Sequence, residues 1–396
     1  MKKLINRPLI LKDECLSSYL YRLSKANYLT GPSPILKQLK IELFKYRVNH
    51  FDYPNCIKIA KISDVNPKEL FRTSNVYYEE NFKDDVDKMV LLKEYVKYCP
   101  CCIQENIYFK NSWFLNLFTV CLEHQSLLVQ NCQGCGQTIS LENFLEGFCK
   151  NCNFAYVKAD KCPVDSNSLL YQAQLEFQSI IEGQVGKVLK DICAKDIFNF
   201  INGNLHIIED LTSRVTYKKI HLITHPQKYY WSENFGEALA NIYWMYTNFP
   251  FNFFQILDEF FNLPFKKRRR RKKEFEKTLG TSTFIKEAYQ EYQNMQILKG
   301  NVPKNISCFD LDAAKKIKER FISKKEIKKE FNLTRNEVDF ICRNLEPKQY
   351  QRGKNLIQQF EVEEVISFVK KFKIQKNDLL TQKEAAIQLG VNIDIM

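Results

Sequence analysis

Four pairs of metal-ligand residues sit close together in the chain: Cys99-Pro100-Cys101-Cys102, Cys121-Leu122-Glu123-His124, Cys132-Gln133-Gly134-Cys135 and Cys149-Lys150-Asn151-Cys152. They read C-x2-C-x18-C-x2-H and then C-x2-C-x13-C-x2-C. Two residues between ligands let the backbone turn once and aim both side chains at one ion. Two such turns supply the tetrahedral set that Zn2+ prefers. Eight of the 14 cysteines fall between residues 99 and 152, and thiols clustered this way in a reducing compartment read as metal ligands, not disulfides. We expect two structural zinc ions per chain. Cys99, Cys102, Cys121 and His124 would hold one; Cys132, Cys135, Cys149 and Cys152 would hold the other. Cys101 is the alternative to Cys102. A cross-braced arrangement, with the first and third pairs sharing an ion, is the alternative to sequential pairing. The compact loop carrying Trp113 and Phe114 favours sequential pairing. Gly134 and Gly136 flank the third turn, where a knuckle calls for positive φ. A site closed by four protein ligands stabilises a fold and leaves no position for a reactive water, which argues against a zinc hydrolase. His221 and His225 have helical spacing, but Pro226 follows and no Glu lies between them. A strand or loop is expected there.

Apolar residues make up 45% of the 396 and aromatics 13%, enough for packed cores, so a wholly disordered chain is excluded. No apolar run approaches the roughly 18 residues of a membrane span. Arg7, Lys12, Asp13 and Glu14 interrupt the first apolar stretch before it forms a signal sequence. A soluble cytoplasmic protein without a membrane partner is expected. No Gly-x4-Gly-Lys-Ser/Thr loop for a nucleotide occurs, and no triad or carboxylate cluster emerges from the sequence.

The net charge of +13 is unevenly spread. Residues 266–373 hold 28 Lys/Arg against 15 Asp/Glu, whereas residues 1–265 hold 29 against 28. Such a basic portion points to a polyanion, most simply double-stranded DNA. It opens with Lys266, Lys267, Arg268, Arg269, Arg270, Arg271, Lys272 and Lys273 in succession. Eight adjacent like charges repel, so no buried element is expected there, but they suit a phosphate backbone. Further on, Ser323-Lys324-Lys325-Glu326 is a capping box, Ile327 and Phe331 are apolar one turn apart, and Asn332-Leu333-Thr334 makes a turn. A second helix, Arg335 to Asn344, then carries Val338 and Ile341 inward. In a helix-turn-helix, Arg335, Asn336 and Asp339 would face base edges and Arg343 phosphate. Arg352-Gly353-Lys354 reads as a turn between short strands, making Arg352 and Lys354 further DNA-contact candidates, and Glu361–Phe372 reads as another helix. The arrangement is similar to the winged helix-turn-helix domains of MerR and excisionase proteins. Leu379–Val391 resembles the start of another such unit, which stops at Met396 before its second helix. A truncated chain is expected.

At the N-terminus, Leu16, Tyr19, Leu20 and Leu23 form a helical stripe, with Asp13 the expected cap. Ile57–Ile62, then Asn66 and Pro67 opening a second helix, is compatible with a helix-turn-helix. The opening, Arg7-Pro8, Asp13-Glu14-Cys15-Leu16-Ser17-Ser18-Tyr19-Leu20, Arg22-Leu23 and Asn27, resembles the TniQ family, which includes TnsD. That family's pattern has Ser, Trp and Gly where Cys15, Tyr19 and Tyr28 stand here. Its second half is Tyr-Cys-Pro-x-Cys, a Trp, Cys-x2-His and then two Cys-x2-Cys pairs, and Trp113 and Cys121–His124 fall into place within it. The resemblance extends to about residue 160. It implies a selector of target sites for DNA transposition, not an enzyme, that binds target DNA or a DNA-bound complex and recruits the transposon's AAA+ ATPase. Strand transfer would belong to a separate transposase. An RNA-guided CRISPR effector and a second copy of the chain are further candidate partners, and association with a bacterial nucleoid would follow. A zinc-containing sequence-specific transcription regulator is the alternative.

The expected fold is mainly α, with small zinc-bound β-containing modules. Residues 1–98 would form an N-terminal helical domain with a helix-turn-helix, and 99–160 a double zinc-finger block. Residues 161–265 would be a helical middle domain. Residues 266–396 would be a basic region with a winged helix-turn-helix and a second, incomplete unit.

Overall fold

The computed structural model describes residues 3–82, 95–222, 232–298, 320–352 and 355–377. His225, the Gly353–Lys354 turn and the element expected at 379–391 lie outside the described residues. The chain is mainly helical with little strand, and it divides into two compact units, Met1–Thr283 and Phe284–Met396.

The first unit opens with helix α1 (Leu16–Ala26). Leu16, Tyr19, Leu20 and Leu23 are completely buried, as their spacing predicts. The cap differs from expectation. Cys15 closes the helix start, its Sγ accepting from the Ser18 amide, because Asp13 is turned away at φ 58° and accepts from the Ser112 hydroxyl and amide. Short helices α2 (Ser33–Leu39) and α3 (Leu43–Arg47) follow. Next, α4 (Tyr53–Ser63) ends on Asp64 in the left-handed region, and α5 (Pro67–Arg72) starts behind the Asn66 cap. Two helices joined by a short turn thus stand where the sequence placed them. Helix α6 (Asn75–Asn81) ends this region.

The cysteine block has little regular structure: α7 (Pro100–Glu105), the two-residue strands β1 (Val120–Cys121) and β2 (Ser126–Leu127), and α8 (Leu141–Glu146). Beyond it come α9 (Leu169–Ile181), α10 (Ile197–Ile208), α11 (Ser232–Thr247) and α12 (Phe251–Asn262). Phe177, Phe200, Leu239, Ile242, Phe253 and Phe260 bury their side chains in this part. The basic run is helical here, contrary to the expectation that eight like charges avoid a buried element. It lies in α13 (Phe265–Thr278) and in the first compact unit. Arg271 and Phe275, four residues apart, are both buried.

The second unit contains α14 (Thr283–Leu298), β3 (Phe321–Ser323), α15 (Lys324–Glu330), α16 (Arg335–Arg343), β4 (Lys348–Arg352), β5 (Asn355–Glu361) and α17 (Val362–Asn377). The sheet order is β3-β5-β4, antiparallel throughout, with Ile322 opposite Phe360 and Tyr350 opposite Ile357. Strand β3 was not anticipated from the sequence. Both α15 and α16 begin with complete capping boxes, Ser323/Glu326 and Thr334/Glu337, and Asn332 takes the left-handed conformation in the turn between them. Ile322, Ile327, Val338, Ile341, Phe360, Val365 and Val369 form one apolar cluster. Truncating Ile341 to Ala should therefore cost about 2–5 kcal/mol. Thr334→Ala, which removes only a cap, should cost about 1 kcal/mol. Denaturant titration followed by hydrogen exchange within residues 321–372 separates the two, and equal small losses would show that Ile341 is not a core position.

Candidate metal centres and nucleic-acid interface

The four pairs converge sequentially. Cys99, Cys102, Cys121 and His124 present ligand atoms within 4.8 Å of one another, and so do Cys132, Cys135, Cys149 and Cys152. With Zn–S bonds of about 2.3 Å, tetrahedral sulfurs stand roughly 3.8 Å apart. The observed spacings are 3.7 Å for Cys102–Cys121, 3.6 Å for Cys132–Cys152 and 3.7 Å for Cys135–Cys149. His124 Nδ1 lies 3.7, 3.3 and 3.5 Å from the sulfurs of Cys99, Cys102 and Cys121. Both sets therefore have the size and chemistry of a zinc site. Cys102, one turn into α7 from Cys99, is in the first set; Cys101 is not part of it and is half-buried.

The surroundings orient the ligands. The second ring nitrogen of His124, Nε2, meets Glu105 Oε1 at 3.0 Å, the carboxylate partner that fixes a ligating imidazole. Glu105 closes α7 one turn after Cys102, a position the sequence analysis passed over. Hydrogen bonds from the neighbouring Cys102 and Cys99 thiols hold Cys121 well below the usual thiol range. In the second set, a hydrogen bond from the Asn151 side chain is the main cause lowering Cys135 to about 6. Cys121 in the first set, and Cys135 and Cys149 in the second, thus favour the thiolate that a metal needs. Of the two glycines singled out, only Gly136 has positive φ, at 73°. Gly134 serves by smallness: a Cβ there would meet Phe154 Cβ at 3.0 Å and Cys152 Sγ at 3.1 Å.

A third group, Glu209, Asp210 and His221, also brings its ligand atoms together. Its charges are already compensated. Asp210 Oδ2 takes Arg271 and Lys267, each at 2.9 Å, and Oδ1 faces His221 Nδ1 at 3.1 Å. Burial raises the Asp210 pKa, but the hydrogen bonds from Lys267 and Arg271 outweigh it, and the net shift is downward. This is an ion-pair hub between α10 and α13.

The acids of the opening motif are structural. Glu14 is completely buried and accepts from Arg22 Nε and NH2 at 2.8 and 2.7 Å and from Ser18 Oγ at 2.9 Å.

The basic candidates separate by exposure. On α13, Arg269, Arg270 and Lys273 are exposed, while Arg268 and Lys272 are half-buried. Lys267, though exposed, is held by Asp210. Lys266 belongs to α13, but its side chain is outside the description. On α16, Val338, Ile341 and Cys342 face the core, and Arg335, Asn336 and Arg343 are exposed. Asp339 is half-buried and lies 3.4 Å from Lys324 Nζ. Phe340 also reaches the surface of α16, half exposed, against Phe372 and Phe368 at ring distances of 5.6 and 6.3 Å. Arg352 lies at the end of β4, with its side chain undescribed, and Lys354 is outside the described residues.

The α1–α7 helices, the first cysteine set and the β1–β2 ribbon coincide with a recognised family. The TniQ family model matches residues 6–128. Residues 6–128 thus carry a TniQ domain, a domain of transposition-associated proteins. The match ends before the second cysteine set, short of the span to residue 160 suggested by the sequence motifs. No curated protein matches the chain. Among the described residues no helix is long and apolar enough to cross a membrane.

The two tetrahedral sets predict two zinc equivalents per chain by elemental analysis of the purified protein. Cys101→Ser should retain both, and Cys102→Ser should lose one. Gly134→Ala should weaken the second site alone. A zinc-free preparation with residues 99–160 folded as described would refute both sites.

Proposed function

We propose that the chain selects target sites for DNA transposition. In this reading it binds target DNA, or a complex already on DNA, and recruits the transposon's AAA+ ATPase. The observation that carries this is the TniQ match over residues 6–128. It is supported by the basic exposed faces of α13 and α16. Each cysteine set would hold Zn2+ with four protein ligands, which would leave no open coordination position for catalysis. The chain supplies no strand-transfer chemistry, which belongs to the transposase. A second copy of the chain is a further candidate partner, and an RNA-guided effector is one where site choice fails to follow the chain's own DNA preference.

The second unit acts as a winged helix-turn-helix. Helix α16 enters the major groove with Arg335, Asn336 and Asp339 toward base edges and Arg343 toward phosphate, and the β4–β5 hairpin, with Arg352 and Lys354, is the wing. Phosphate contacts position a protein, whereas base-edge contacts discriminate. Arg335→Ala should cost about 1–3 kcal/mol on a preferred duplex and little on random duplex. Equal losses on both would make Arg335 a phosphate contact.

The decisive experiment reconstitutes transposition with the neighbouring ATPase and transposase, with and without this protein, and maps its crosslinks to the ATPase. Loss of targeted insertion without the protein, with crosslinks inside residues 6–128, is the expected result. Insertion indifferent to the protein, together with promoter binding that changes transcription, would favour a regulator instead.

A further inference from the structure

The basic run is divided by the helix that carries it. On α13 the residues facing the unit's interior are Arg271 and Phe275, both buried. The Arg271 guanidinium donates to the Glu209 carbonyl at 3.0 Å and to Asp210 Oδ2 at 2.9 Å. Lys267 donates to the same carboxylate oxygen at 2.9 Å. Arg268 donates to the Phe261 carbonyl, and Lys272 pairs with Glu276 at 3.0 Å. Four cations of the run are therefore engaged within the first unit. Arg269, Arg270 and Lys273 remain exposed, and among the described residues none of the three forms an ion pair. They recur at i, i+1 and i+4, one stripe spanning about 6 Å of helix axis. Lys277 continues the stripe but is paired with Glu274 at 2.7 Å.

We infer that Arg269, Arg270 and Lys273 form a fixed phosphate-contacting stripe for duplex DNA on the first unit, held in place by the Asp210 clamp on Lys267 and Arg271. This rests on the reading of the chain as a DNA-binding protein and adds which cations of the run touch the backbone. An anionic membrane is the less suitable polyanion. A helix lying in a bilayer interface buries an apolar face in lipid, whereas the apolar side chains Phe275 and Leu279 at this helix are buried in the protein. The stripe is sequence-blind because it meets only phosphate. Anchoring the helix fixes the stripe before DNA arrives, so less ordering is left for binding to accomplish.

The test titrates the full-length protein with a mixed-sequence duplex over a range of KCl concentrations. Each phosphate contact contributes about 0.9 to the log–log salt slope. Replacing Arg269, Arg270 and Lys273 together with Gln should flatten the slope by about 2.7 units and leave the melting temperature in place. Lys267→Gln removes a charge from the same run but should change the slope by much less than one contact. Asp210→Asn keeps every cation and should lower the melting temperature. Equal slope changes for Lys267→Gln and Lys273→Gln would overturn the inference, because the run would then act as diffuse charge. An unchanged slope in the triple variant would overturn it too, as would a triple variant that binds duplex normally but no longer binds phosphatidylserine vesicles. Wild-type protein with no duplex affinity at any salt would instead remove the DNA-binding reading itself.

Discussion

The convergence of ligands in the cysteine block is the constraint on which the first unit depends. Residues 99–152 contain two six-residue helices, one 3-10 turn and a two-residue ribbon, too little hydrogen-bonded structure to hold a shape by itself. Yet the opening of the chain is built onto this segment. Phe109 accepts from the Cys15 amide and its own amide donates to Ser18 Oγ, while Asp13 reaches Ser112. Phe109, Trp113, Phe114 and Phe144 form a continuous aromatic contact beneath. The start of α1 is therefore shaped by a loop almost a hundred residues away, and that loop is positioned between the first two ligand pairs. The TniQ domain and the first cysteine set are one folding piece. The metal expected there would act on the domain's shape and leave no chemistry of its own.

How much of this was legible in the sequence depends on how local the cause is. The α1 stripe, the two capping boxes and the cysteine pairs are set by residues three or four apart, so periodicity and spacing suffice. Cys15 as cap and the buried Glu14 were not legible, because what displaces Asp13 is Ser112. Strand β3 is three residues long and exists through its pairing with β5, a partner nearly forty positions on. The zinc pairing order was readable only as a preference between alternatives, since equal C-x2-C spacings do not say which pairs meet.

The basic run gives a different lesson. As a string of eight cations it hides a helical pattern whose inward positions are Arg271 and Phe275. An arginine can occupy a buried position when a carboxylate and a carbonyl satisfy its guanidinium, and Asp210 and Glu209 do so from the end of α10. The same cations explain why Glu209, Asp210 and His221, close enough to suit a metal, instead form an ion-pair hub. A divalent ion would have to displace two positive charges already hydrogen-bonded to Asp210. Cysteine and histidine in the two block sites face no such competitor. Charge context thus separates sites of similar geometry.

The two units present basic surfaces of different kinds. Helix α13 offers three like cations, a surface that rewards any phosphate backbone and distinguishes none. Helix α16 mixes Arg335, Asn336, Asp339 and Arg343. A carboxylate facing DNA is repelled by phosphate unless a cation screens it, and Lys324 stands 3.4 Å from Asp339. On the proposed reading, that pairing lets α16 keep an acceptor for a cytosine amino group at low electrostatic cost, while α13 supplies affinity that is independent of sequence. Discrimination then comes from the unit with the smaller exclusive supply of cations on its helix face, because an interface dominated by phosphate contacts binds right and wrong sites almost equally well.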